Sequence, residues 1–204
     1  KLVTGVQTCA LPISSIPVVV CPQSRTLGGG CEMTMHADIA QAAAETYIGL
    51  VEVGVGLIPG GGGTKEFTKR VSDRMLEGDV ELNALQSAFM NIATAKVALS
   101  GEDAREMGIL RPQDRISVNK DRQILDAKAA AIELAEAGYT MPVPAKNIRV
   151  MGKSGLALFA AGVTGMKMGN FISEHDMKIA MKIANVMCGG DLSYPQEVSE
   201  QYLL

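Results

Sequence analysis

Histidine is scarce in this 204-residue chain, with two in all, His36 and His175. The four cysteines, Cys9, Cys21, Cys31 and Cys188, form no CxxC or other ligand spacing. No set of His, Cys, Asp and Glu recurs at the separations that a metal site needs, so no metal ligand is expected. The chain is also too long for a small disulfide scaffold, and a reducing, cytoplasmic setting is the default. Charge of one sign does not dominate: the net charge is −3, which argues against a nucleic-acid surface. No internal repeat is present. The uncharged run Gly155 to Met166 is shorter than the roughly 20 residues a bilayer span needs, and it reads as a buried helix between Lys153 and Lys167. What remains, 47% hydrophobic and 20% charged, is ordinary globular material with enough apolar residues for a sizeable core.

The chemistry-bearing stretch runs from Thr26 to Lys65. It holds two glycine runs, each tied to a glutamate: Glu32 follows Gly28-Gly29-Gly30, and Glu52 precedes the run Gly60 to Gly63. Three glycines leading into Cys31-Glu32-Met33-Thr34-Met35 predict a tight loop that delivers the chain into a helix. Without Cβ atoms, backbone N–H groups can approach a ligand, and the first helical amides have no internal partner. Such a helix start can hold an anion or a developing oxyanion. Val51-Glu52-Val53-Gly54-Val55 alternates as a strand with one buried face, with the valines inward and Glu52 on the other side. Taken singly, Glu32 is an ordinary first-turn acid and Glu52 an ordinary solvated strand residue. Taken together, two carboxylates beside an oxyanion site are what proton transfer next to a polarised carbonyl requires. A phosphate cradle fits poorly: the second run lacks the Gly-Lys-Ser/Thr ending, and Gly54-Val55-Gly56 lacks a third glycine.

Leu27-Gly28-Gly29-Gly30-Cys31-Glu32, followed by Val51-Glu52 through Gly56-Leu57-Ile58-Pro59-Gly60-Gly61-Gly62-Gly63, resembles the signature of the crotonase (enoyl-CoA hydratase/isomerase) superfamily. The longer pattern, with Glu45 to Glu52 and Ile172-Ser173-Glu174-His175-Asp176, is similar to the crotonase domain of fused 3-hydroxyacyl-CoA dehydrogenase/enoyl-CoA hydratase proteins of bacterial fatty-acid β-oxidation. Nothing in the chain resembles the dehydrogenase part.

The resemblance implies an α/β fold: a partial crotonase core, the ββα spiral, followed by a helical C-terminal region. It implies hydration of a 2-enoyl-CoA, with Glu32 and Glu52 catalytic and the Gly29 N–H in the oxyanion hole. Leu27, Gly28, Val51, Pro59, Gly60 and Gly61 would line the substrate. Acyl-CoA is then the substrate, no cofactor belongs to this chain, and NAD belongs to the dehydrogenase part alone. Both acids being present favours hydration over isomerisation, which in the family needs only the Glu52-type residue. A non-catalytic acyl-CoA binding or assembly module is the alternative from another class. Val51 stands where the family usually has proline, and Gly61 where it usually has alanine. The family's second oxyanion N–H and much of its CoA loop come from an N-terminal half, so that half is an expected partner, as is a second copy of the chain. The chain by itself is expected to be weakly active or inactive.

The remaining readings concern organisation. Val3 to Ile13 resembles the translation of a sequencing-library adapter, and residues 1–13 are set outside the fold. Residues 14–138 read as the C-terminal part of a crotonase domain, 139–152 as a linker, and 153–204 as a helical end-piece, itself cut short. Ile16 to Cys21 suits a buried strand, Ile39 to Ala44 a returning strand, and Thr46 to Val55 the strand carrying Glu52. Thr64 can cap a helix toward Arg70. Leu85, Phe89, Ile92 and Leu99 recur at helical spacing as core. Ser100 caps a short helix closed by Gly108, and Asn119 caps one from Lys120 to Ala137 closed by Gly138. Gly155–Gly169 and Glu174–Cys188 read as helices, with Asp176 in a capping role, and a last helix starts near Pro195. His36, four residues beyond Glu32, can lie over that carboxylate and tune it. Met33, Met35, Met166 and Met168 read as core or acyl-pocket lining.

Overall fold

A computed structural model describes residues 11–204, so most of the stretch set apart above lies outside the described residues. In chain order the elements are β1 (Val19–Val20), β2 (Ser24–Leu27), α1 (Gly29–His36), β3 (Ile39–Ala43), β4 (Thr46–Gly49), α2 (Gly63–Arg74), α3 (Glu81–Ala93), α4 (Gly101–Glu106), β5 (Arg115–Ser117), α5 (Gln123–Glu136), β6 (Ile148–Val150), α6 (Gly152–Met168), α7 (Glu174–Met187), β7 (Gln196–Val198) and α8 (Glu200–Leu203). The chain divides into two compact units. One takes the residues up to Val51, Pro59–Gly63 and Lys96–Val143; the other takes Glu52–Ile58, Thr64–Ala95 and Pro144–Leu204.

The first unit is built on parallel strands in the order β1-β3-β5, with β2 and β4 as a second parallel pair. All five residues of β3, Ile39-Ala40-Gln41-Ala42-Ala43, are buried, as a strand covered on both faces must be. The one polar side chain among them, Gln41, donates to Ser117 Oγ at 2.8 Å, and that hydroxyl donates to Asp126. Gln123 Nε2 ties the β3 carbonyl of Gln41 and the carbonyl of Pro22 together, at 2.7 and 2.9 Å. Asp114 plays the same part at the other end, accepting from the amides of Ala40 and Arg111, while Arg111 reaches the carbonyls of Ala37 and Asp38. Gln123, Asp114 and Arg111 thus bond to main-chain atoms, whereas Gln41, Ser117 and Asp126 pair through their side chains.

The second unit is helical. Leu85, Phe89 and Ile92 of α3, Phe159 and Val163 of α6, and Ile179, Ile183 and Met187 of α7 are buried. The Phe89 and Phe159 rings meet at 4.8 Å with a 49° tilt, within the range favoured by aromatic pairs. Beside them a cleft of about 410 Å³, lined by Leu82, Met90, Leu158 and Met166 among others, remains open. β6 and β7 pair antiparallel, and Ile148, Val150, Val198 and Leu203 close a small core of their own. A buried charged cluster sits on α2: Lys65 Nζ lies 3.1 Å from Glu66 and 2.8 Å from Glu200, and Arg70 Nε lies 3.0 Å from Glu66. Burial alone would push the Lys65 ammonium down, but Glu66 and Glu200 outweigh it and its pKa is raised. Burial likewise pushes the Glu200 carboxyl up, and the bonds from Lys65 and the Ala145 amide bring it below its ordinary value.

Several expectations are corrected. The strand from Ile16 to Cys21 is only Val19–Val20, and the strand from Thr46 stops at Gly49. Glu52 opens a one-turn 3₁₀ helix, Glu52–Val55, because Gly56 turns the chain at φ +78° and the Leu57 amide closes back on the Glu52 carbonyl at 3.0 Å. Val55 is therefore exposed rather than inward. Leu99 lies past the end of α3 and is 66% exposed, so it is not core. Met168 is 80% exposed at the end of α6, and that helix buries only one stripe. α2 begins at Gly63 and runs to Arg74, which puts Thr64 inside the helix rather than at its cap. A 3₁₀ turn, Lys120–Arg122, precedes α5, and a strand rather than helix occupies Gln196–Val198. The caps hold: Ser100 accepts from the Asp103 amide, Asn119 from Asp121, and Ser173 and Asp176 form a reciprocal capping box.

Candidate active site

The first unit assembles one carboxylate with a glycine loop. Leu27 ends β2, in register with Gly49 of β4, and the Gly28 amide donates to the Gly49 carbonyl at 2.9 Å. Gly28, at φ 58°, then turns the chain into α1, where Gly29 is the first helical residue. The first amides of the helix have no carbonyl four residues back; the Glu32 amide is the one that closes on Gly28 O, at 3.0 Å. That leaves the N–H of Gly29 at the helix mouth, where the resemblance puts the oxyanion donor.

Glu32, one turn into α1, is only 3% exposed. Its Oε1 accepts two backbone hydrogen bonds, from the Gly61 amide at 2.8 Å and the Gly63 amide at 2.9 Å. A carboxylate oxygen has two lone pairs, so both sites on Oε1 are filled and the plane of the group is fixed. The loop can come this close because Gly63 carries no side chain: a Cβ there would stand 2.8 Å from Leu50 Cδ1 and 3.1 Å from Glu32 Oε1. Pro59 is buried and Gly60 is exposed, with nothing within 4 Å of where its Cβ would be. Val51 is half-buried at the end of this unit's first segment.

Glu52 belongs to the second unit, in the 3₁₀ turn already described. His36, expected over the Glu32 carboxylate, bonds through Nδ1 to the Glu32 main-chain oxygen at 2.7 Å. Since a carbonyl can only accept, Nδ1 carries the proton. The other histidine, His175, bonds through Nε2 to the Gly56 carbonyl at 2.9 Å. Cys188 and Cys21 are poorly suited to nucleophilic work: burial pushes the Cys188 thiol up to about 12 and raises Cys21 as well. Among the described residues no cluster of three His, Cys, Asp or Glu side chains could hold a metal ion, and no helix is long and apolar enough to cross a membrane.

Sequence reasoning singled out Gly61 and missed Gly63. The signal was there, in that a run of four glycines is more than a turn needs.

The chain is similar to known proteins over most of its length. The enoyl-CoA hydratase/isomerase family matches residues 6–113. A Bacillus subtilis (strain 168) protein named as a 3-hydroxyacyl-CoA dehydrogenase is 47% identical over 191 residues, covering 94% of this chain and 24% of its own length. The fatty acid oxidation complex subunit alpha of Shewanella loihica is 39% identical over 90 residues, 41% of this chain and 13% of its own. The chain therefore spans about a quarter or less of these two relatives. The crystal structure of an enoyl-CoA hydratase/isomerase from Cupriavidus metallidurans CH34 superposes with a TM-score of 0.52 at 16% identity, over 89% of this chain and 56% of that one, and shares its α/β fold.

Proposed function

Because the chain belongs to the enoyl-CoA hydratase/isomerase family, we propose that it carries the hydration site of a longer enzyme that adds water across the double bond of a 2-enoyl-CoA. In that reaction negative charge grows on the thioester oxygen as the enolate forms. The Gly29 N–H at the start of α1 stabilises it as a fixed dipole that need not reorganise. Glu32 takes the proton of the attacking water while the water oxygen bonds to C3. Glu52 gives a proton to C2, which leaves Glu32 protonated and Glu52 ionised; exchange with solvent then takes one proton from Glu32 and returns one to Glu52, and both carboxyls regain their starting states.

The observation that carries this reading is the Glu32 carboxylate itself. With Oε1 filled by the amides of Gly61 and Gly63, Oε2 is the atom that receives the proton, and its direction is set by backbone rather than by a mobile side chain. Orientation of this kind is worth several orders of magnitude in rate.

The test is crotonyl-CoA hydration, followed by loss of enoyl-thioester absorbance. Because the family's second oxyanion donor lies in an upstream segment, the assay uses the chain joined to the segment that precedes the matched region in the Bacillus relative. Glu32→Gln and Glu52→Gln should each abolish hydration. If the joined protein binds acyl-CoA but turns nothing over, the binding or assembly reading replaces this one. If Glu32→Gln spares double-bond migration while Glu52→Gln removes it, the site is an isomerase.

A further inference from the structure

We propose that His175 is a positioning residue for Glu52, acting through the peptide bond between Gly56 and Leu57; the catalytic half of this inference rests on the hydratase reading above. The two ends of that peptide are held separately. Its carbonyl, that of Gly56, accepts from His175 Nε2 at 2.9 Å. Its N–H, that of Leu57, donates to the Glu52 carbonyl at 3.0 Å. His175, the peptide and Glu52 thus form one hydrogen-bonded chain in which each bond polarises the next. Because the acceptor is a carbonyl, His175 must carry its proton on Nε2, in the neutral or the charged form.

Two further features fit a clamp. His175 is the second residue of α7, and that helix start is anchored by the Ser173–Asp176 capping box, with Ser173 Oγ accepting from the Asp176 amide at 3.1 Å and Asp176 Oδ2 accepting from the Ser173 amide at 2.9 Å. The imidazole is therefore delivered from a fixed backbone. On the other side, Gly56 sits at φ +78°, and a Cβ there would stand 3.3 Å from His175 Nε2. At that φ a side chain is strained, and its Cβ would also crowd the ring. The Glu52–Val55 turn is closed by the two amides that follow it, Gly56 N–H to Val53 O and Leu57 N–H to Glu52 O. A single 3₁₀ turn of this length has little stability of its own, so an outside partner at its closing peptide decides how sharply it is held.

The experiment reads the clamp directly and the chemistry separately. Amide hydrogen exchange at Leu57 is measured in the full chain for wild type, His175→Ala and His175→Gln. His175→Ala should speed Leu57 exchange about three- to tenfold, the effect of one hydrogen bond, and His175→Gln, which keeps a donor, should restore most of the protection. In the joined protein, His175→Ala should lower kcat by a similar factor and leave KM within about twofold, with Gln rescuing kcat. Unchanged Leu57 exchange in His175→Ala overturns the proposal. Faster exchange with unchanged kcat, in a protein where Glu52→Gln is inactive, overturns the positioning role. Faster exchange in a protein where Glu52→Gln remains fully active overturns the hydratase reading instead and leaves the clamp standing.

Discussion

Gly63 has no room for a side chain. In Gly63→Ala the new methyl would press on Leu50 Cδ1 and on Glu32 Oε1. Leu50 can yield at its tip, whereas Glu32 is held from two amides, so the loop and the carboxylate must part. We expect a loss of about 1–3 kcal/mol in urea unfolding and a fall in hydration of up to about 10²-fold from misplacement of the carboxylate. A wild-type rate in this variant would show that the two amides do not set the orientation of Glu32. Tyr139 makes a different prediction. Its phenol donates to Asp38 at 3.0 and 3.1 Å, and burial, then that bond, push it up to about 12. A raised tyrosine favours the folded state with the proton on: the contribution is complete below about pH 10 and is lost as pH rises toward about 12. Urea midpoints across that window should fall in the wild type and lose this part of the slope in Tyr139→Phe. Neither residue was legible as a site from the sequence. Tyr139 finds Asp38 across 101 positions, and residue spacing carries no information about such a pair.

The capped starts at Ser100, Asn119 and Ser173 were legible and the turn that carries Glu52 was not, for a physical reason. Ser100, Asn119 and Ser173 bond to amides two or three residues on, so their chemistry is complete within one turn of sequence. The alternation Val51-Glu52-Val53-Gly54-Val55 has the period of a strand, but no neighbouring strand pairs with it among the described residues, and the Leu57 amide closes it into a 3₁₀ turn instead. Leu85, Phe89 and Ile92 kept their helical face, while Leu99 fell beyond the break after Ala93, where Ala95 turns to φ 51°. Two tests belong to this scale. Ser173→Ala should cost about 0.5–2 kcal/mol by removing the α7 cap, and, if His175 depends on that cap, should also raise Leu57 exchange. Lys65→Met should cost on the order of 1–3 kcal/mol, since it removes the charged hydrogen-bond partner of the half-buried Glu200. The same pair fixes a pH dependence. Glu200 is lowered from 4.5, so its contribution is present above that value and lost as pH falls below it; Lys65 is raised from 10.5, so its contribution is lost as pH climbs above that value. Glu200→Gln should remove the acid limb in urea titrations.

At the scale of the molecule, the two units are interleaved rather than consecutive. The chain passes between them at 51/52, 58/59, 63/64, 95/96 and 143/144. Removing residues 144–204 takes away Phe159, Val163, Ile179 and Ile183, the buried partners available to α3, together with Glu200. The shortened chain should bind a hydrophobic dye and lose a cooperative unfolding transition for its 64–95 portion, whereas a sharp, dye-free transition would mean that this portion folds without its C-terminal partners. The order of these pieces also matters while the protein is being made. Lys65 and Glu200 are 135 residues apart, so at about 5–20 residues per second roughly 7 to 27 s pass between their synthesis. Through that interval a lysine destined for the interior must stay in water. The unit that holds Glu32 takes no described residue after Val143, so a ribosome that stalls soon after that residue leaves a nascent chain with Glu32 in place and without the later residues that pack on α3.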